Sequence, residues 1–294
     1  IDNFLISELK GAPRSLVYRI LRKGEVRVNK GRVKPDYRLM SGDVVRVPPV
    51  KLSDKTQPVA GDALITHLKK CVLFEDQDFL VINKPSGLAV HGGSGNSLGL
   101  IEALRQSRPD CRYLELVHRL DKETSGCLLV AKKRSVLRSL QDLFRQKKIT
   151  KTYLALVKGH WPANKRRVTA PLLKTGSEDT SRYVKVHEDG KASKTGFELI
   201  QHFRDFSLVR ALPQTGRTHQ IRVHAKSAGH PLVGDDKYAP ETVVDDRRIS
   251  GCSRLFLHAA SLSFIKEGAD KVFCVEAPLP DELQKVLRHL ESGR

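Results

Sequence analysis

The sequence has 294 residues, enough for one large domain and one small domain, each with its own core. Its 52 Lys and Arg residues outnumber its 33 Asp and Glu residues, and the net charge of +19 indicates a polyanionic partner, with RNA or DNA as the first candidate. The hydrophobic fraction of 39% argues against a disordered chain, and no apolar run is long enough to span a bilayer.

The first 50 residues predict two short helices followed by strands. "IDNFLISELKG" predicts a helix with Asp2 as its N-cap and Gly11 as its stop, and "RSLVYRILRKG" predicts a second helix with Ser15 as its cap. "EVRVN" and "GDVVRVP" alternate in polarity and predict strands. Basic side chains lie away from the apolar stripe of the second helix, either as a solvated face or as contacts to phosphates. They are Arg14, Arg19, Arg22 and Lys23.

This pattern, which continues through "GEVRVNKGRVKPDYRLMSGDVVRV", resembles the S4 RNA-binding domain. The resemblance implies a small α/β S4 domain over residues 1–50. The stretch "KLSDKTQPVAGD" then lacks an apolar period, and we predict a linker over residues 51–69 and a larger domain over residues 70–294.

The larger domain mixes strands and helices without regular alternation, which predicts an α+β fold rather than a doubly wound sheet. "GCLLVAK" and "KTYLALVKG" predict strands, and residues 134–148 predict a helix. "SKTGFELIQHF" and "FSLVRALP" predict a hairpin. "RTHQIRVHAKSAG" predicts a helix with Thr218 as its cap and Gly229 just beyond its end.

The sequence lacks the motifs of nucleotide-dependent and metal-dependent enzymes. The sequence has no P-loop and no dinucleotide-binding glycine fingerprint, and the Gly-rich stretch 91–97 predicts a flexible loop, with a phosphate contact as the alternative. The histidines lack metal-ligand spacing, so we expect no metal and no cofactor. Five widely spaced cysteines indicate reduced thiols in a cytoplasmic protein. No signal-peptide pattern is present, and because the sequence opens at Ile1 without a Met, we expect the native N-terminus to lie upstream.

One carboxylate stands out in the stretch "VHRLDKETSG", where Asp121 follows Arg119 and precedes Lys122. A loop Asp paired with an Arg would be the ordinary interpretation. However, four stretches resemble the RluA-type pseudouridine synthase family, in the family's order. They are "INKPSGLAVHGG" (82–93), "HRLDKETSG" (118–126), "KTYLALVKG" (151–159) and "TGRTHQIRVHAKSAGHPLVGD" (215–235).

The resemblance implies a pseudouridine synthase fold with a mixed, mainly antiparallel sheet. It also implies isomerisation of specific uridines in large-subunit (23S) ribosomal RNA, with free RNA or the assembling large ribosomal subunit as partner. We expect a monomer that does not bind membranes.

The resemblance gives roles to single residues. Asp121 matches the catalytic aspartate, Arg222 the arginine that pairs with it, and Tyr153 the tyrosine that stacks on the target base. Arg119 matches an arginine that fills the gap left by the flipped uridine, and we expect Arg217 to contact RNA. The ordinary alternatives are a core aromatic for Tyr153, a solvated helix residue for Arg222 and a phosphate contact for Arg119.

Pseudouridine formation breaks the N1–C1′ bond of uridine and rejoins the uracil through C5, which suits one carboxylate acting as nucleophile or base. Asp121 could attack C1′, attack C6 or remove the C2′ proton, and the acceptor of the C5 proton is open. Two other classes stay open as well. One is a non-catalytic RNA-binding factor, and the other is a hydrolytic glycosidase, which would need a second carboxylate such as Glu123.

Overall fold

The computed structural model describes residues 1–9, 12–50, 59–92, 98–176 and 183–293. Three sequence predictions lie wholly or partly outside these ranges: the stop at Gly11, residues 51–58 of the linker, and residues 93–97 of the Gly-rich stretch. The chain divides into two compact units, Ile1–Gln57 and Pro58–Arg294.

The N-terminal unit contains two helices and a small antiparallel sheet in the order β2-β1-β3. Its elements are α1 (Asp2–Glu8), α2 (Arg14–Arg22), β1 (Arg27–Val28), β2 (Gly31–Arg32) and β3 (Val45–Arg46). Its core contains Leu5, Val17 and Ile20. These elements confirm the predicted pattern of two helices followed by strands.

The predicted N-caps of this unit are wrong. Asp2 and Ser15 lie inside the first turns of α1 and α2, and Ile1 and Pro13 occupy the N-cap positions. The Asp2 carboxylate instead accepts hydrogen bonds from the Tyr18 hydroxyl, at 2.7 Å, and from the Asn3 N–H. The Asp2 side chain therefore forms a tertiary hydrogen bond with Tyr18 instead of capping α1, as the local pattern had predicted.

The C-terminal unit contains the remaining elements of the described ranges. Its helices are α3 (Asp62–Lys70), α4 (Leu100–Ser107), α5 (Arg134–Arg145), α6 (Gln220–Ser227), α7 (Pro240–Ser250) and α8 (Asp281–Ser292). Its strands are β4 (Val72–Glu75), β5 (Phe79–Lys84), β6 (Glu115–Leu116), β7 (Ser125–Ala131), β8 (Thr150–Lys158), β9 (Arg167–Thr169), β10 (Leu172–Thr175), β11 (Tyr183–Val186), β12 (Lys194–His202), β13 (Phe206–Pro213), β14 (Leu257–Ile265) and β15 (Val272–Glu276).

Ten of the described strands form one sheet, whose main path is β4-β5-β7-β14-β8-β13-β12-β9. β15 pairs with β14 and β6 pairs with β7 beside this path, and β10 and β11 form a separate ribbon. Within the described residues, β7 and β14 form the one parallel pair, with His258 opposite Ser125 and Ala259 opposite Gly126. The predicted α+β fold with a mainly antiparallel sheet is therefore confirmed.

The predicted linker over residues 51–69 needs a correction. Residues Asp62–Lys70 form α3, and Leu68 of this helix is fully buried in the same cluster as α4. Leu64 and Ile65 pack against that cluster, so α3 belongs to the C-terminal unit. The apolar spacing of these three side chains is the signal that the sequence prediction missed.

Strand β7 is buried on both faces and lies at the centre of the C-terminal unit. All seven of its residues are buried, which is typical of a central strand. Its alternate side chains Leu128 and Val130 pack under α3 and α4, and Cys127 and Leu129 face the cluster that contains Leu140 of α5. Helices therefore cover opposite faces of the sheet, and the loop before β7 emerges from a rigid strand. None of the helices in the described ranges combines the length and apolar character that a membrane-crossing segment requires.

Candidate active site

A cleft of about 620 Å³ lies in the C-terminal unit. The loop before β7, the start of β8 and the β13–α6 loop with the first turn of α6 contribute its walls. The cleft brings together five residues that the sequence singled out, which are Arg119, Asp121, Tyr153, Arg217 and Arg222. Asp121 is the one carboxylate among the described residues that line it, and six Lys or Arg side chains line it as well.

The loop that carries Asp121 is fixed from behind by the segment that follows β5. The Lys122 carbonyl accepts hydrogen bonds from the Gly87 N–H, at 3.0 Å, and from Lys84 Nζ, at 2.9 Å. The Ser86 hydroxyl donates to the Glu123 carbonyl at 2.8 Å. Two of the four family-like stretches therefore meet here, and the "NKPSG" segment shapes the loop. The Asp121 side chain keeps 28% of its surface exposed, so its carboxylate is accessible.

Gly126 explains how closely this loop approaches β14. Its φ is +110°, and a Cβ at this position would lie 2.2 Å from the Ala259 carbonyl oxygen. Any larger residue would push β7 and β14 apart. The glycine at the end of "HRLDKETSG" is therefore required by strand packing next to the cleft.

Lys84 is a buried lysine behind the Asp121 loop. Its side chain is fully buried, and Nζ donates to the carbonyls of Pro85, Leu88 and Lys122 at 2.8, 2.8 and 2.9 Å. Burial lowers the pKa of Lys84 to about 7, although the nearby Glu123 and Asp121 carboxylates favour its charge. Lys84 therefore connects the turn after β5 to the loop that carries Asp121, and it is not among the cleft-lining residues.

Tyr153 lies on β8 between two small residues of the neighbouring strands, Ala211 of β13 and Ala259 of β14. Its ring is half-buried, packs against two core clusters and still lines the cleft. Burial and the nearby Asp121 carboxylate raise the pKa of Tyr153 well above its usual range, so its hydroxyl keeps its proton.

Arg222 does not form the ion pair that the resemblance implied. Its guanidinium donates to Asp235 from Nε at 2.8 Å and from Nη2 at 2.5 Å, whereas Asp121 Oδ1 lies 3.8 Å from His219 Nε2. Both partners are buried, with 8% and 1% of their side-chain surfaces exposed, so the solvated-helix alternative for Arg222 is wrong too. Burial disfavours the charge of Arg222, but Asp235 and, to a smaller extent, Asp121 raise its pKa. Asp235 lies at the end of the fourth stretch, "LVGD", and its role was not predicted.

The residue before α6 is His219, and it replaces Thr218 as the N-cap. The predicted cap is wrong because the Gln220 side chain satisfies this turn: its Oε1 accepts from the Arg217 N–H and the Thr215 hydroxyl. His219 adopts a left-handed backbone with φ 52° and ψ 21°. Gly229 has φ +89° just beyond α6, as predicted.

Basic side chains form the rim of the cleft. Arg119 and Arg217 are exposed there, as the sequence prediction required for RNA contacts. Lys151 was not predicted, although it precedes Tyr153 by two positions and therefore faces the same side of β8. Burial lowers the pKa of Lys151 to about 8, and its ammonium lies 5.8 Å from the centre of the Phe144 ring.

The four basic residues predicted on the N-terminal unit are exposed. Arg14, Arg19 and Arg22 project from α2, whose buried face carries Val17, Ile20 and Leu21. Lys23 follows directly at the C-terminal end of the helix. Within the described ranges, no group of three or more His, Cys, Asp or Glu side chains could hold a metal ion.

Two family models match the chain and define its class. The family model described as RNA pseudouridylate synthase matches residues 78–227, and the S4 domain model matches residues 1–45. The chain belongs to the RNA pseudouridylate synthase family and is an RNA pseudouridine synthase with an N-terminal S4 domain, which confirms the predicted family and enzyme class.

Curated relatives match over the whole chain. The "Ribosomal large subunit pseudouridine synthase C" of Pasteurella multocida is 54% identical over 100% of this chain and 91% of its own length. The protein of the same name from Escherichia coli K12 is 51% identical over 100% of this chain and 93% of its own length.

Solved structures share the fold. "Human RNA Pseudouridylate Synthase Domain Containing 4" is 26% identical, with a TM-score of 0.63 over 78% of this chain and 96% of that one. "Human RNA Pseudouridylate Synthase Domain Containing 1" is 31% identical, with a TM-score of 0.56 over 71% of this chain and 82% of that one.

Proposed function

We propose that this enzyme isomerises specific uridines of large-subunit (23S) ribosomal RNA to pseudouridine, with Asp121 as the catalytic group. The observation that carries the proposal is that, among the described residues that line the cleft, Asp121 is the single carboxylate and six side chains are basic. Such a cleft attracts an RNA backbone while it keeps one nucleophile or base at its wall. The names of the relatives supply the substrate class.

The reaction needs no group from outside the RNA and the protein. The N1–C1′ bond breaks, the uracil turns, a C5–C1′ bond forms, the C5 proton leaves and N1 gains a proton. Atoms and electrons of the uridine balance without an oxidant or a phosphoryl donor. Asp121 acts as nucleophile or base in this reaction, and Lys84 and Ser86 hold its loop in place.

Tyr153 and Arg119 stabilise the flipped state in this proposal. Extruding a base costs about a few kcal/mol. A base stacked on an aromatic ring gains roughly 1–3 kcal/mol. Tyr153 is an aromatic residue that lines the cleft together with Asp121. Arg119 is exposed on the loop two positions before Asp121, where it can enter the gap in the RNA stack.

The S4 domain supplies affinity in this proposal. The exposed Arg14, Arg19, Arg22 and Lys23 neutralise RNA phosphates, and Arg217 adds a contact at the cleft. The enzyme acts as a cytoplasmic monomer, on free RNA or on the assembling large subunit.

A product assay tests the reaction class. The enzyme is incubated with large-subunit ribosomal RNA labelled in its uridines, and the RNA is digested to nucleosides. Labelled pseudouridine is the expected product. Free uracil would instead indicate a hydrolytic glycosidase, and unchanged uridine a binding factor. The cleft argues against the glycosidase because Glu123 is not among its lining residues, whereas glycosidases use two flanking carboxylates.

A further inference from the structure

His219 occupies an unusual place in the wall of the cleft. It is a non-glycine residue with a left-handed backbone, directly before α6, and 14% of its side-chain surface is exposed. Such a conformation persists only where the surrounding structure enforces it, and it is common at functional sites. Here it directs the imidazole between two groups, with Nε2 3.8 Å from Asp121 Oδ1 and Nδ1 2.5 Å from the Tyr238 hydroxyl oxygen.

The hydrogen bonds of Tyr238 favour one of the two imidazole tautomers of His219. The Val184 N–H donates to the Tyr238 hydroxyl oxygen at 3.2 Å, so this oxygen already accepts one hydrogen bond. The hydroxyl proton is then free to point at Nδ1 of His219. A neutral imidazole that accepts at Nδ1 carries its proton on Nε2, the nitrogen that faces Asp121.

The surroundings of His219 keep the imidazole neutral. Burial lowers the pKa of His219 below its ordinary value, and the cations Arg222 and Lys237 act in the same direction. The Asp121 and Asp235 carboxylates act in the opposite direction. A neutral imidazole donates a hydrogen bond without adding a charge beside the nucleophile.

Tyr238 is rigid enough to fix this arrangement. Its side chain is 1% exposed, and its ring lies 4.9 Å from the Arg222 guanidinium, edge-on to the His219 ring and 4.8 Å from the Tyr183 ring. Its backbone N–H donates to Asp235 at 3.0 Å. One buried tyrosine therefore holds both His219 and the cation that interacts with Asp121.

We propose that His219 is a positioning residue, which orients the Asp121 carboxylate through Nε2–H while Tyr238 fixes the imidazole tautomer. The proposal rests on the proposed function, because it takes Asp121 as the catalytic group. The 3.8 Å separation is longer than a hydrogen bond, and catalytic contacts of this kind often shorten when substrate binds. Asp121 is thus aligned by a neutral donor, and Arg222 is held by Asp235.

Two substitutions of His219 separate positioning from a purely structural role. His219→Gln carries an amide NH₂ at the level of Nε2, and so can still donate to Asp121. His219→Asn reaches only to the level of Nδ1, but Asn tolerates the left-handed backbone better than Gln. A structural role therefore favours the Asn variant, and positioning favours the Gln variant.

The measurement is the single-turnover rate on one short RNA stem-loop, with the RNA Kd measured in parallel. We expect the Gln variant to stay within about tenfold of the wild type. The Asn variant should lose about 10²-fold in rate at unchanged Kd, the loss typical of a misplaced catalytic group. An Asn variant as fast as the Gln variant, or faster, would overturn the proposal.

A spectroscopic measurement keeps the proposal testable even if a variant folds poorly. In the full-length protein labelled with ¹⁵N-histidine, the His219 signals are assigned by comparison with His219→Gln. We expect a protonated Nε2 and an unprotonated Nδ1, and Tyr238→Phe should weaken this preference. A proton on Nδ1 would contradict the proposal. Turnover by Asp121→Asn would instead overturn the proposed function, so the two failures are distinguishable.

Discussion

Arg222 and Asp235 form a buried, two-point ion pair in the wall of the cleft, at 2.8 and 2.5 Å. Asp235 Oδ1 also accepts the backbone N–H groups of Lys237 and Tyr238, at 3.1 and 3.0 Å, so the carboxylate takes part in four hydrogen bonds. The cation that the family resemblance assigned to Asp121 is thus anchored by a second aspartate. This arrangement orients Arg222 beside the cleft and ties α6 to the loop that precedes α7.

Replacing Arg222 should therefore destabilise the fold as well as the site. Arg222→Met leaves Asp235 buried without its partner, and breaking such a pair costs about 3–5 kcal/mol. Fluorescence of Trp161 during denaturant unfolding measures this loss, because Trp161 is the single Trp of the chain and is buried in the C-terminal unit.

The matched control is Arg210→Met, which removes an exposed pair with Glu198. Exposed pairs contribute roughly 0–1 kcal/mol, so this variant should unfold close to the wild type. Equal stability of the Arg222 and Arg210 variants would show that the Arg222–Asp235 pair does not support the fold.

Lys84→Met should destabilise the C-terminal unit because the carbonyls of Pro85 and Leu88 lose the Lys84 donor, while that of Lys122 keeps the Gly87 N–H. Each buried polar group left unpaired costs about 1–3 kcal/mol. Lys133→Met, at an exposed lysine paired with Asp78, is the control and should change little. Equal effects of the two variants on the Trp161 unfolding curve would contradict this role for Lys84.

The loss of stability caused by Lys84→Met should grow as the pH rises from 7 to 9. The folded pKa is about 7, below the value of about 10.4 in an unfolded chain, so the unfolded state holds the extra proton in this window. Stability rises with pH where the unfolded state binds more protons, by at most about 1.4 kcal/mol per pH unit for one group. The stability difference between wild type and Lys84→Met is the quantity to follow, and a decrease with pH would contradict the assignment.

Much of the fold could be predicted because its elements have strong local patterns. The strand over Ser125–Ala131, the helix over Arg134–Arg145 and the hairpin of β12 and β13 follow from apolar spacing and length. The parallel pairing of β7 with β14 could not be predicted in this way, because it joins residues that are far apart in the chain.

The site was predicted in part, because some of its residues lie in recognisable local stretches of sequence. Family-like stretches identified Asp121, Tyr153 and Arg222, and the fold brings all three to one cleft. The partner of Arg222 depends on tertiary packing that no local pattern contains. His219 could not be predicted as a site residue, because its left-handed backbone is enforced by contacts with distant residues such as Tyr238.

Tyr153 should contribute to RNA binding through its ring. Tyr153→Phe keeps the ring and should bind RNA like the wild type, whereas Tyr153→Leu should lose roughly 1–3 kcal/mol of stacking. The measurement is the Kd of both variants for one stem-loop that contains a target uridine. Equal Kd values and equal rates for Tyr153→Leu and wild type would make Tyr153 an ordinary core residue.

The basic face of α2 should set part of the salt dependence of binding. Changing Arg19, Arg22 and Lys23 to Gln in the full-length chain should weaken RNA binding and lower the slope of log K against log salt by about 0.7–0.9 for each phosphate that is no longer neutralised. Turnover at saturating RNA should fall much less. The control variant carries Lys285→Gln and Arg288→Gln on the exposed side of α8, and an equal change of slope in the control would remove the special role of α2.

The most direct test of the catalytic assignment compares two carboxylates of one loop. Asp121→Asn keeps the shape of the side chain but removes its charge, and Glu123→Gln makes the same chemical change two positions later, at a residue that does not line the cleft. Pseudouridine formation in a single turnover on the stem-loop is measured together with RNA affinity. We expect no detectable pseudouridine from Asp121→Asn at unchanged or tighter binding, since one negative charge near phosphates is gone, and substantial turnover from Glu123→Gln. Measurable turnover by Asp121→Asn would contradict the assignment of Asp121 as the catalytic group.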